Sequence, residues 1–192
     1  MTHGQNIGIQ SIRRIEQGPR AVLAQRIPGS FPFGFAEAME ISRSSFYATF
    51  GDKRSLFLEC LGLFGKRTKD LLLKAKSEHT PLDALRRFFE NTVAEQRGQR
   101  TEWGCMMVNT VLELAGVDDD LSARASNLLA EMQAEFEKCL SDAGLAPERA
   151  AGFASFLMQF NEGIRVSSRR RVSREQQLSD IDTAFVLIAG AV

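Results

Sequence analysis

Ile41-Ser42-Arg43-Ser44-Ser45-Phe46-Tyr47-Ala48-Thr49-Phe50-Gly51-Asp52-Lys53 alternates apolar anchors with polar side chains in a way that suits two short helices and a tight turn. Ala38 and Met39 close a short apolar helix, Ile41 is buried in the turn, and Ser42 caps a second helix whose Phe46 and Phe50 point inward. This is the pattern of a helix-turn-helix. Its outer face then carries Arg43, Ser44, Ser45, Tyr47 and Thr49, with Lys53 at the start of the next helix. Arg and Ser reach base edges in a major groove, whereas Tyr and Thr hydroxyls and a Lys ammonium suit phosphates.

Downstream of this stretch the pattern is helical throughout. After Gly51, Asp52 can cap a helix on which Leu56, Phe57, Cys60, Leu61 and Phe64 recur at helical spacing towards Leu71 and Leu72. Thr80-Pro81-Leu82-Asp83 reads as a helix start, with Leu85, Phe88, Phe89 and Val93 as its stripe and Gly98 as its end. Cys105 to Ala115 is nearly all apolar and is expected to be buried on most sides. Asp118, Asp119 and Asp120 favour a helix N-terminus through the macrodipole, and Gly144 closes that helix. Pro147 opens another, which ends in Arg169-Arg170-Arg171; Ser173 to Gln176 has the spacing of a capping box before a last helix with Leu178, Ile181, Ala184, Phe185 and Ile188. No strand alternation is present, so the expected fold is all-α.

Upstream, residues 1–40 are less regular. Gly18-Pro19 interrupts one possible helix, and Pro28-Gly29-Ser30-Phe31-Pro32-Phe33-Gly34 breaks any other.

Composition narrows the function. The 192 residues are 44% hydrophobic, enough to bury a core, and net charge is zero. Residues 1–54 nevertheless carry seven basic side chains against four acidic ones, a balance of +3 that suits a polyanion-facing surface. Only His3 and His79 are present, which leaves little for histidine-based acid–base or triad catalysis. Cys60, Cys105 and Cys139 are widely spaced, without a CxxC pair, so neither a disulfide scaffold nor a metal site is expected. No apolar run approaches the roughly 20 residues that span a bilayer, and the start lacks a signal-peptide pattern, so a cytoplasmic location and no membrane partner are expected. No cofactor is implied.

The residues from Ile41 to Lys53 resemble the recognition helix and the start of the fourth helix of the tetracycline-repressor-type (TetR/AcrR) family of transcription regulators. Gly104-Cys105-Met106-Met107-Val108-Asn109-Thr110 followed by Glu113 is similar to a segment of one branch of its effector domains. The resemblance implies an N-terminal helix-turn-helix DNA-binding domain, residues 1–54 with 1–40 atypical, and a larger helical effector-binding and dimerisation domain, residues 55–192. It implies a homodimer on a palindromic double-stranded DNA operator, released by a small-molecule effector, and no catalysis. Where family members carry a long first helix, a Gly-aromatic turn and a Gly before the Ile-Ser, this chain has Gly18-Pro19, Pro28 to Gly34 and Glu40. The alternative is a helical ligand-binding or interaction protein with an impaired DNA-binding domain.

Within the second domain, Met and Phe side chains are core by default but can also line an adaptable apolar pocket. Met106, Met107, Phe136, Phe156 and Phe160 are the candidate lining, with Trp103 and Asn109 as polar handles. Cys105 stands at a helix start, where the dipole favours a thiolate, which makes it a candidate redox or electrophile sensor. The last two helices are the expected dimer interface. Ala150, Ala151, Ala154, Ala184 and Gly190 would allow close helix approach, unless those helices spend their apolar faces on their own core.

Overall fold

The computed structural model describes residues 53–94 and 105–191, except for the side chains of Lys53 and Arg169. Six helices lie within that range and no strand does: α1 (Lys53–Glu78), α2 (Pro81–Ala94), α3 (Met106–Leu114), α4 (Asp119–Asp142), α5 (Pro147–Arg169) and α6 (Arg174–Ala189). The all-α expectation holds. The helix-turn-helix expected before Gly51 and the helix end expected at Gly98 lie outside the described residues. None of the described helices is long and apolar enough to cross a membrane.

Local sequence explains the starts of α2, α4 and α6. Thr80 accepts weakly from the Asp83 amide at 3.4 Å and donates to the Asp83 carboxylate at 2.7 Å, with Pro81 supplying the pre-set φ of the first turn. Asp118 accepts from the Leu121 amide at 3.1 Å, and Asp119 and Asp120 add negative charge to the same turn. Ser173 accepts from the Gln176 amide at 3.2 Å, whereas the Gln176 amide group donates forward to Asp180 at 2.9 Å. The expected capping box is therefore present in its first half.

The chain divides into two compact units, residues 1–63 and 64–192, with the boundary inside α1. In the first unit, the described residues are the opening turns of α1, where Leu56, Phe57, Cys60 and Leu61 are buried.

In the second unit α4 is the central element, with α2, α3 and α5 packed on it, and α6 packs on α2. Its core holds Leu72, Leu85, Phe89, Phe136, Leu140, Leu157, Ile181 and Ile188, all with essentially no exposed surface. The later part of α1 lies close against α4. A Cβ placed at Gly65 would stand 2.7 Å from Leu128 Cδ2, so glycine at 65 lets the two helices approach. Further along the same pair, Lys69 bonds Glu135 at 2.9 Å and Lys76 bonds Asp142 at 3.2 Å. Three contacts along one helix face thus fix the register of α1 on α4.

The α3 helix is buried on most sides, as expected: Met106 to Thr110 and Leu114 are buried, and it opens outward only near its end, where Leu112 is 69% exposed. Five consecutive buried residues take in more than a full turn, so burial reaches all round the first half of this nine-residue helix.

Candidate functional site

The residues expected to touch DNA, Arg43, Ser44, Ser45, Tyr47 and Thr49, lie outside the described residues, as does Trp103. Lys53 is the first residue of α1. The other candidates fall in the second unit and divide into an α3 group and an aromatic group.

In the α3 group, Cys105 occupies the N-cap position in extended conformation (φ −91°, ψ 126°) and is 1% exposed. Met106, Met107 and Asn109 follow it and are buried. The Thr110 hydroxyl donates back to the Met106 carbonyl at 2.8 Å, so this polar side chain is satisfied inside its own helix. None of the three cysteines is exposed. Burial pushes the Cys60 thiol up to about 12, and burial likewise raises Cys139, so both are neutral thiols at physiological pH.

The aromatic group centres on Phe89 of α2. Its ring lies 5.6 Å from Phe136 of α4, 5.7 Å from Phe160 of α5 and 5.8 Å from Phe185 of α6. Phe88 meets Phe136 edge-on at 5.4 Å. One ring thereby joins four helices, and burying a side chain of this kind contributes about 1.5–3 kcal/mol. The structure brings Phe136 and Phe160 together around Phe89. Phe156 differs: it stacks on Phe160 at 6.0 Å but is 44% exposed, on the outer side of α5.

Two polar residues that sequence reasoning missed sit beside this cluster. Asn161 is 4% exposed and its Oδ1 has no hydrogen-bond partner among the described residues. One turn further along α5, Arg165 Nη2 donates to Thr92 Oγ1 of α2 at 3.3 Å, while Arg165 Nε is shut off from solvent and also lacks a partner among the described residues. A carboxylate would ordinarily be expected beside a guanidinium so placed, yet none pairs with Arg165 among the described residues. The signal was available: Asn161 interrupts an apolar stripe of α5 that includes Ala154, Leu157, Met158 and Ile164. By contrast, the other buried polar groups of this region are satisfied. Ser168 donates to the Ile164 carbonyl at 2.8 Å, and Gln177 donates to the Val172 carbonyl at 2.9 Å.

One buried carboxylate of the unit, Glu135, is held by Lys69 at 2.9 Å and Lys138 at 3.0 Å. Hydrogen bonds from those two ammonium groups keep its carboxyl below the usual carboxylate range. Its bond to Lys69 holds α1 on α4, and its bond to Lys138 lies within α4, so both serve a structural task. No cluster of three or more metal-ligating side chains occurs among the described residues.

Comparison with known proteins places this arrangement. Residues 81–182 match the family described as the C-terminal domain of LmrA/YxaF-like transcriptional regulators. Among solved structures, a cysteine mutant of the TetR family transcriptional regulator CifR, complexed with 26-base-pair double-strand operator DNA, is 26% identical. The match covers 90% of this chain and 94% of that one, with a TM-score of 0.69. Regulatory protein TetR from Rhodobacter sphaeroides is 19% identical over 91% of this chain and 96% of its own, with a TM-score of 0.72. A TetR transcriptional regulator from Legionella pneumophila is 16% identical over 93% and 95%, with a TM-score of 0.75. These last two likenesses are of fold alone. The curated proteins contain no match.

Proposed function

The chain belongs to the TetR family of transcriptional regulators, and from that membership we propose a repressor that binds a palindromic operator as a homodimer and releases it when a small molecule occupies the helical unit. That it is a DNA-binding transcriptional regulator rather than an enzyme rests on the family match and on the operator-bound relative, which extends over 90% of the chain. The likeness to that DNA complex is the observation that carries the reading.

Arg43, Ser44 and Ser45 are assigned to base edges, and Tyr47, Thr49 and Lys53 to phosphates. One recognition helix makes too few contacts for specificity, so two copies related by a two-fold axis would place their pair ~34–36 Å apart, one helical turn of DNA, or a multiple of it. The outer faces of α5 and α6 suit that pairing. Phe156, Val166, Val186 and Leu187 are exposed there, and Gly152 and Gly163 face open space on α5. Of the small residues expected at such an interface, Ala150, Ala154 and Ala184 are instead buried within the chain. A regulator of this kind works where the DNA is, in the cytoplasm.

The proposed effector site lies in the second unit, with Trp103, Met106, Met107, Asn109, Phe136 and Phe160 as its lining, while Phe156, exposed on the outer side of α5, goes to the pairing face instead. A ligand that favours one arrangement of these helices would bias α1, which leads from the DNA-binding unit into the helical one, with a coupling of ~1–3 kcal/mol. Cys105, at the N-terminus of α3, is assigned a sensing role on its helix-terminal position. A Cys105→Ser protein whose operator affinity still falls on electrophile treatment would refute that assignment.

The DNA assignment is tested by fluorescence anisotropy on the operator across a salt series. Lys53→Ala is expected to weaken binding to every sequence and to reduce the salt slope by about one unit, whereas Arg43→Ala should relax base preference at one position. An unchanged slope for Lys53→Ala would reject its phosphate role.

A further inference from the structure

Asn161 and Arg165 form a pair that folding alone leaves incomplete. Buried polar atoms in folded proteins nearly always find partners, and a shielded guanidinium N–H left unmade is among the more costly exceptions. Here two such atoms stand one turn apart on the same helix: an acceptor, Asn161 Oδ1, and a donor on a cation, Arg165 Nε. Residues four apart on a helix are neighbours, with their Cβ atoms ~5–6 Å from each other. Thr92 Oγ1 accepts from Nη2 of the guanidinium at 3.3 Å, while the neighbouring Nε on the same edge has no partner among the described residues. Phe160, next to Asn161 in the chain, packs on Phe89 of α2, the helix that also carries Thr92.

We propose that Asn161 and Arg165 are the polar end of the effector site, and that they receive a small organic carboxylate bearing a neighbouring hydroxyl or N–H on an apolar body. The carboxylate oxygen accepts from Arg165 Nε and supplies the missing counter-charge. The adjacent hydroxyl or N–H donates to Asn161 Oδ1, and the apolar body lies along Phe160 and Phe89. A neutral ligand leaves the guanidinium unpaired, and an acid without the donor leaves Asn161 unpaired. The chemistry therefore selects a 2-hydroxy acid or an N-acylated amino acid over a plain fatty acid, an ester or an amide. This inference rests on the regulator reading for the consequence of binding, but the binding itself does not depend on DNA.

The test measures direct binding by calorimetry, without DNA, using 2-hydroxycarboxylates with phenyl, naphthyl and octyl bodies. Each is matched to its amide, which removes the charge, and to its deoxy acid, which removes the donor. At least one hydroxy acid is expected to bind about tenfold or more tighter than both of its matched compounds. Asn161→Asp should abolish that preference, because the new carboxylate pairs with Arg165 and repels the ligand; being isosteric, it should retain the melting temperature. Arg165→Gln should bring hydroxy acid and amide to equal affinity. Binding of none of the acids, equal binding of acids and amides, or an Asn161→Asp protein that folds and keeps the preference would each overturn the proposal. Operator release, measured separately, distinguishes the two readings. Hydroxy acids that bind a protein showing no specific DNA affinity leave the site standing and remove the regulator. An operator released by neutral compounds and not by acids does the reverse.

Discussion

Arg171 and Gly144 occupy equivalent places at the ends of α5 and α4 and show what a single side chain costs there. After α4, the Leu145 amide bonds the Leu140 carbonyl and Gly144 bonds Ser141, with Gly144 at φ 103°. After α5, the Val172 amide bonds Ser167 and Arg171 bonds Ser168, with Arg171 at φ 60°. Both are Schellman closures, but only the first has the residue that adopts positive φ without a Cβ penalty. Arg171→Gly is therefore expected to stabilise the protein by about 1 kcal/mol, raising the melting temperature by ~2–4 °C in a thermal melt. Glu135 gives a second prediction. Its folded-state carboxyl titrates below its unfolded value, so its contribution is complete at neutral pH and is lost as pH falls through that lowered value. Glu135→Gln should cost about 1 kcal/mol near pH 7, since both ammonium partners remain well solvated. That cost should shrink in melts run at acidic pH. At this scale the sequence was least legible. Caps such as Asp118 and Ser173 could be read because their partners are three residues away, but the orphaned Asn161 could not, because its lack of a partner depends on how α2 and α5 meet.

Helix boundaries were largely legible because they are set by local chemistry. Pro81, Asp119, Pro147 and Arg174 all begin helices where a cap or a first-turn proline stood in the sequence. What periodicity did not reveal was the extent of α1, which continues past its apolar stripe through Lys74, Ala75 and Lys76 to Glu78. Long-range partners on α4 hold that polar end, and such partners are invisible to a window of neighbours. Gly65 was equally silent, since its role lies in the approach of Leu128 from 63 residues away. Gly65→Val should destabilise by ~1–3 kcal/mol through overpacking, read in a denaturant titration. Gly65→Val combined with Leu128→Ala should recover part of the loss, a coupling that independent sites would not show.

At the scale of the molecule, the all-α architecture and the hydrophobic content of the second unit followed from the sequence, whereas the role of Phe89 as the ring joining α2, α4, α5 and α6 did not. Phe89→Ala is expected to cost ~3–5 kcal/mol, seen as a large drop in the denaturation midpoint, because four helices lose one shared contact. The proposed pairing of two chains is addressed by sedimentation: Phe156→Glu should sediment as a monomer while retaining wild-type helicity. The decisive measurement is selection of bound fragments from genomic DNA, followed by footprinting of the enriched site. The account predicts one enriched sequence with two-fold symmetry, its half-sites a whole number of helical turns apart and both protected by a complex holding an even number of chains. No enrichment over random fragments, or an asymmetric site occupied by a single chain, would contradict it.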